Sequence, residues 1–135
     1  MDRRTTLALG LAAVPVLASA GHAMAATYGP DEGTETAPGV RRVDLGKREA
    51  MIPGYETVSM RDIVYQPGAS TQNPAMKNDM VCHCLEGEFA IDEGEGMQFD
   101  VKKGDVWSCR EGRAENIKNT GNTVAIMRVI DLLRA

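Results

Sequence analysis

Three sulfur atoms and one imidazole are the reactive groups that this sequence sets near one another. Cys82-His83-Cys84 lies in the stretch VCHCLEGEFA, and Cys109 follows later in the chain. Thiolates and imidazoles bind zinc and copper, and paired thiols carry disulfide chemistry. Strand geometry limits what the triplet can do. Neighbouring residues on a strand point to opposite faces, so Cys82 and Cys84 share one face while His83 takes the other. All three cannot ligate one ion. Cys82 and Cys84 are also a poor disulfide pair, because two residues on one face have Cα atoms about 6.6–6.8 Å apart, at the limit of disulfide geometry. No Cys-x-x-Cys motif is present. The only other histidine is His22.

The elements that must hold these groups read as short strands separated by turns. Tyr55–Tyr65 is β-rich and stops at Pro67-Gly68. Met80–Ile91 is β-rich and broken by Gly87. Glu93-Gly94-Glu95-Gly96 is a turn that predicts a hairpin of Phe89–Ile91 with Met97–Val101. Lys103-Gly104 leads into Asp105–Cys109, and Glu111-Gly112 into Asn116–Lys118. Asn119-Thr120-Gly121-Asn122 precedes Thr123–Leu133, whose two faces are both largely apolar; the last five residues could form a helix. Turns about every ten residues, with no long segment of helical period, predict an all-β sandwich or barrel.

The first 25 residues stand apart. Arg3 and Arg4 precede an apolar run from Leu7 to Ala20, and Ala23-Met24-Ala25 ends it. These are the parts of a secretory signal peptide, residues 1–25, and the paired arginines point to twin-arginine export and a periplasmic location. His22 leaves with the leader, so His83 is the single histidine of the mature chain. Loss of Arg3, Arg4 and Asp2 from 15 basic and 19 acidic residues leaves 13 against 18. The basic residues are scattered, which argues against a nucleic-acid partner. No second apolar run reaches membrane length, so no membrane association is expected after cleavage. Residues 26–40, ATYGPDEGTETAPGV, are polar and rich in Gly and Pro, and are expected as a flexible arm. Residues 41–135 form the expected domain. In an oxidising compartment three cysteines allow one bridge and leave one sulfur over.

Four motifs in order carry a family resemblance: Pro67-Gly68-Ala69-Ser70, Leu85-Glu86-Gly87-Glu88, Lys103-Gly104-Asp105-Val106 and Asn119-Thr120-Gly121. Together they resemble a single-domain cupin over residues 55–133. The resemblance implies a small jelly-roll β-barrel of the RmlC-like kind, often a homodimer. It also implies a metal held by three histidines and a glutamate. Counting from the motifs, those ligand positions fall on Pro74, Met76, Met80 and Glu115, so the usual set is replaced, and a chain with one mature histidine cannot build a three-imidazole site. Metal-dependent cupin chemistry is therefore not expected.

If Met80 points inward as the resemblance implies, so do Cys82 and Cys84. The implied antiparallel neighbour, residues 105–110, then brings Cys109 opposite Cys82 and Trp107 near Cys84. The expected cavity is lined by Met76, Met80, Cys82, Cys84, Trp107, Cys109 and Glu115. Three readings follow. In the first these are core side chains of a structural or small-molecule-binding barrel that needs no cofactor. In the second, Cys82, Cys84, Cys109 and Met80 bind copper, since soft sulfur ligands select Cu(I). In the third, the thiols serve redox exchange, with a Cys82–Cys109 bridge.

Overall fold

The computed structural model describes residues 27–135; the expected signal peptide lies outside the described residues. Ten strands and no helix make up the described chain. They are β1 (Thr34–Ala37), β2 (Val40–Glu49), β3 (Thr57–Tyr65), β4 (Ser70–Asn73), β5 (Asp79–Glu86), β6 (Glu88–Asp92), β7 (Gln98–Lys102), β8 (Val106–Cys109), β9 (Glu115–Asn119) and β10 (Ala125–Leu133). A six-stranded sheet runs β1-β2-β3-β10-β5-β8, and a four-stranded sheet runs β4-β9-β6-β7. Every pairing is antiparallel. The two inner faces enclose one core, as the jelly-roll expectation requires.

Period-two alternation builds that core. β5 sends Met80, Cys82 and Cys84 inward, β8 sends Trp107 and Cys109, and β10 sends Ala125, Met127 and Val129; all are buried. Phe89 and Ile91 of β6 and Ile117 of β9 face them from the smaller sheet. Tyr65 meets Phe89 edge-to-face with ring centres 5.2 Å apart, a favoured aromatic geometry.

The motif residues set the turns. Ala69 N–H donates to Gln66 O at 3.0 Å across Pro67-Gly68, with Gly68 at the left-handed position of a type II turn. Asp105 accepts from Lys102 N–H at 2.9 Å and tightens its own turn. Asn119 is fully buried and joins three segments: its Nδ2 donates to Tyr65 O (3.1 Å) and Thr123 O (2.8 Å), and its Oδ1 accepts from Gly121 N–H (3.0 Å). Gly87, at φ 73°, passes the chain from one sheet to the other; a Cβ there would lie 2.7 Å from Ala125 Cβ.

Three expectations need correction. Of the expected arm, residues 26–40, the described part from 27 onward is not loose. Thr34–Ala37 pairs with β2 as an edge strand, and Tyr28 Oη donates to Asp62 Oδ2 at 2.5 Å. Asp62 is itself fully buried under Arg128, which grips it with two hydrogen bonds of 2.9 and 3.0 Å. One aromatic anchor and a ladder outweigh a polar composition. The chain end is strand to Leu133, not helix, because β10 pairs with β3 on one side and β5 on the other. The β5–β8 register is shifted by two residues from the expected one: Cys109 faces Met80, and Trp107 faces Cys82. These strands are not consecutive, so no turn fixes their register. Cys84 N–H donating to Asp105 O at 2.9 Å sets it instead.

Candidate functional site

At one end of the barrel three strands stop with polar side chains turned inward. Cys109 is the last residue of β8 and Glu115 the first of β9. Glu93 follows the end of β6 and continues the inward series Phe89, Ile91, Glu93. Glu93 and Glu115 are only 6 % and 4 % exposed. One ligand atom from each of Glu93, Cys109 and Glu115 lies within 4.8 Å of the others.

The cluster is under-satisfied. Glu93 Oε1, Glu115 Oε2, Trp107 Nε1 and Arg113 Nη2 are buried with no hydrogen-bond partner. Most buried polar groups are paired, so four orphans around one point mark a strained or functional place. Burial raises the Glu115 carboxyl to about 7, and the nearby Glu93 charge adds to the rise. The Trp107 N–H faces this carboxyl and pulls the other way, though its geometry falls short of a hydrogen bond. Glu93 is raised by burial too, against the pull of Arg113.

Two loops cover the cluster. Met76 N–H donates to Arg113 O at 2.7 Å, and Gly112 N–H donates to Met76 O at 2.8 Å. A cavity of about 290 Å³ opens beside them, lined by Glu93, Glu95, Arg110, Glu111, Arg113 and neighbouring small residues. Arg113 bridges it, reaching Glu95 at 3.4 Å and the Glu93 carbonyl at 3.4 Å. Below, Arg61 points into the barrel and pairs with Asp131 through contacts of 2.8 and 3.1 Å. Asp131 also accepts from Asn78 Nδ2 at 3.0 Å.

The expected cavity residues divide into two groups. Met76, Met80, Cys109 and Glu115 gather at the mouth end, with the facing Cys82 and Trp107 one pair deeper; Glu115, Arg61 and Cys109 all lie within electrostatic reach of the Cys82 thiol. Cys84 lies apart, toward the closed end, where its thiol donates to the carbonyls of Glu86 and Gly87, both at 3.5 Å. Pro74 is exposed in the loop after β4. His83 is on the outer face, aligned with Val106 and Arg128. All three cysteines are free. Burial raises Cys84 to about 11 and Cys109 to about 12, and Cys82 further.

Glu93 joins the site without having been expected there. Glu93 sat in an acidic Glu-Gly-Glu-Gly run that reads as a solvated turn. The available signal was alternation: Phe89 and Ile91 are inward, so a strand carried two residues further turns Glu93 inward as well.

No family model matches the chain, and no curated protein sequence matches it. Solved structures do. The cupin domain of Schizosaccharomyces pombe Cnp3 superposes with TM-score 0.59 at 21 % identity, covering 70 % of this chain and 61 % of that one. KdgF from Halomonas sp. gives TM-score 0.56 at 16 % identity, covering 75 % and 86 %. A predicted oxalate decarboxylase from Thermotoga maritima gives 0.57 at 25 % identity, covering 70 % and 80 %. The chain has the cupin fold.

Proposed function

We propose that this cupin-fold chain is an exported small-ligand-binding barrel in which the usual imidazole site is replaced by the Glu93–Cys109–Glu115 cluster at the mouth. One observation carries the reading. Two carboxylates are buried beyond nine-tenths, each with an orphan oxygen, behind an open cavity. A purely structural barrel gains nothing from that arrangement, since an unsatisfied buried acceptor costs stability and an apolar residue would fill the space. A ligand that donates to, or is attracted by, the carboxylates would satisfy them.

Export rests on the N-terminal Arg3-Arg4, the apolar run and Ala23-Met24-Ala25. A homodimer is part of the same proposal, supported by Val81 and Val106, which leave an apolar patch on the outer face of β5 and β8. Sedimentation of wild type and Val106→Glu tests it; a monomeric wild type ends it.

The experiment for the binding role is a melting-temperature screen of organic acids, amines and sugars against wild type and Glu115→Gln. A hit that shifts the wild type and not the variant supports the assignment. Hits that shift both equally place the ligand elsewhere and overturn it.

Copper binding by the sulfurs is a second reading, favoured by the direct pairing of Met80 with Cys109 across β5 and β8. Titration with Cu(I) against a chelating competitor decides it: affinity unchanged in Cys82→Ser and Cys109→Ser ends that role. Thiol exchange is the third reading. The raised thiols weigh against it, because the thiolate is the reactive form.

A further inference from the structure

The mouth cluster combines two hard donors with one soft donor, and that combination selects among ions. Calcium and magnesium require six or more oxygen donors or several retained waters. Cu(I) favours sites made wholly of sulfur. Two carboxylates and one thiolate suit an ion of intermediate hardness with low coordination number, as zinc accepts Cys, His and carboxylate ligands together.

Geometry agrees. Metal–oxygen distances of about 2.0–2.2 Å and metal–sulfur distances of about 2.3 Å place tetrahedral ligand atoms roughly 3.3–3.7 Å apart. The three atoms already lie within 4.8 Å of one another, so small side-chain rotations close the gap. Their backbones are held at the ends of β6, β8 and β9, with β9 hydrogen-bonded to β6, which fixes the positions before any ion arrives. The unpaired oxygens Glu93 Oε1 and Glu115 Oε2 have no competing partner to surrender. Trp107, 9 % exposed, turns its unpartnered N–H toward the Glu115 carboxyl. It would then be an outer partner that orients that ligand, as such groups do in metal sites.

Charge and access also fit. Three anionic donors around a dication leave one negative charge, and Arg113, close to Glu93, offsets it. Exposed Glu95 and Glu111 stand on the rim of the 290 Å³ cavity and favour approach of cations.

We propose that Glu93, Cys109 and Glu115 hold one divalent cation of the zinc class, with a fourth position open toward the mouth. This rests on the reading of the mouth cluster as the ligand-binding centre. None of the four positions that the family resemblance assigns to histidine or glutamate contributes except Glu115. Binding expels the Cys109 thiol proton to solvent, so uptake of the ion releases acid.

The test uses Co2+ and Zn2+ alone, added to the purified, metal-stripped protein. One equivalent of Co2+ is expected to produce a thiolate-to-cobalt charge-transfer absorption, which one equivalent of Zn2+ removes. Cys109→Ser should lose the absorption, Cys84→Ser should keep it, and Glu93→Gln and Glu115→Gln should each bind at least about tenfold more weakly. Glu93→Gln decides the matter if Cys109→Ser does not fold. The cation assignment is overturned by absence of the absorption in wild type, by its survival in Cys109→Ser, or by unchanged affinity in Glu93→Gln. An organic ligand that shifts wild type but not Glu115→Gln, without any cation binding, ends this inference and leaves the broader reading standing. Absence of both responses ends both.

Discussion

Arg61 and Asp131 meet diagonally across β3 and β10 as a two-pronged ion pair, Nε to Oδ2 at 2.8 Å and Nη2 to Oδ1 at 3.1 Å, with the carboxylate almost wholly buried. Removal of one partner from a buried pair strands the other charge. Asp131→Asn is predicted to lower stability by about 3 kcal/mol, read as a shift in the urea midpoint at unchanged slope. Arg61→Met combined with Asp131→Met should recover most of the loss. A single variant as stable as wild type refutes a structural role for the pair.

The acid at the mouth makes the metal-free protein less stable as pH rises. Glu115 is raised from the ordinary 4.5 to about 7. Between those values the folded chain keeps a proton that the unfolded chain has lost, so stability falls with increasing pH. It is fully present below about 4.5 and is lost by about 7. At roughly 1.36 kcal/mol per unit the span is about 3 kcal/mol, and Glu93, raised in the same sense, adds to it. Denaturant midpoints at pH 5 and 8 should show the drop, and Glu115→Gln should flatten it. A wild-type midpoint that climbs over this range contradicts the raised acid.

Backbone shape separates two glycines that look alike in sequence. Gly87→Ala puts a Cβ 2.7 Å from Ala125 Cβ and holds alanine at φ 73°, so a loss beyond about 2 kcal/mol is expected. Gly112→Ala has open space and only its φ of 84° to bear, which predicts about 1 kcal/mol. Equal melting temperatures for the two variants would remove the steric argument at Gly87.

Thiol reactivity should be gated by unfolding. Burial raises all three cysteines, and thiolate fraction and access control alkylation. Iodoacetamide at pH 8 is expected to leave the native protein unmodified and to label all three sites in denaturant. Rapid native labelling of Cys84 would show that the closed end opens.

Much of the architecture was legible because the turns carry it. The Phe89–Ile91 and Met97–Val101 hairpin, the Gly104-Asp105 turn and the Asn119-Thr120-Gly121 turn all stand where the sequence put them, since each is written in local residues. Alternation split Cys82 and Cys84 from His83, and the inward place that the family resemblance implies for Met80 chose which face was inside. What failed to show depends on distant partners. β2 has almost no apolar alternation and is held by the ladder to β3. Segment 27–37 is ordered through Asp62, which is 34 residues from Tyr28. The β5–β8 register belongs to two strands that no turn joins. Glu93 was hidden by its neighbours, which belong to an exposed turn while it belongs to the core.

The crossed backbone hydrogen bonds between Met76 and residues 112–113 have a kinetic meaning. Among the described residues they are the backbone hydrogen bonds that join the 74–78 and 110–114 loops, and neither is part of a sheet ladder. Together they act as a latch that can unhook while both sheets stay closed. Deuterium uptake at the Met76 and Gly112 amides would then report how often this latch unhooks.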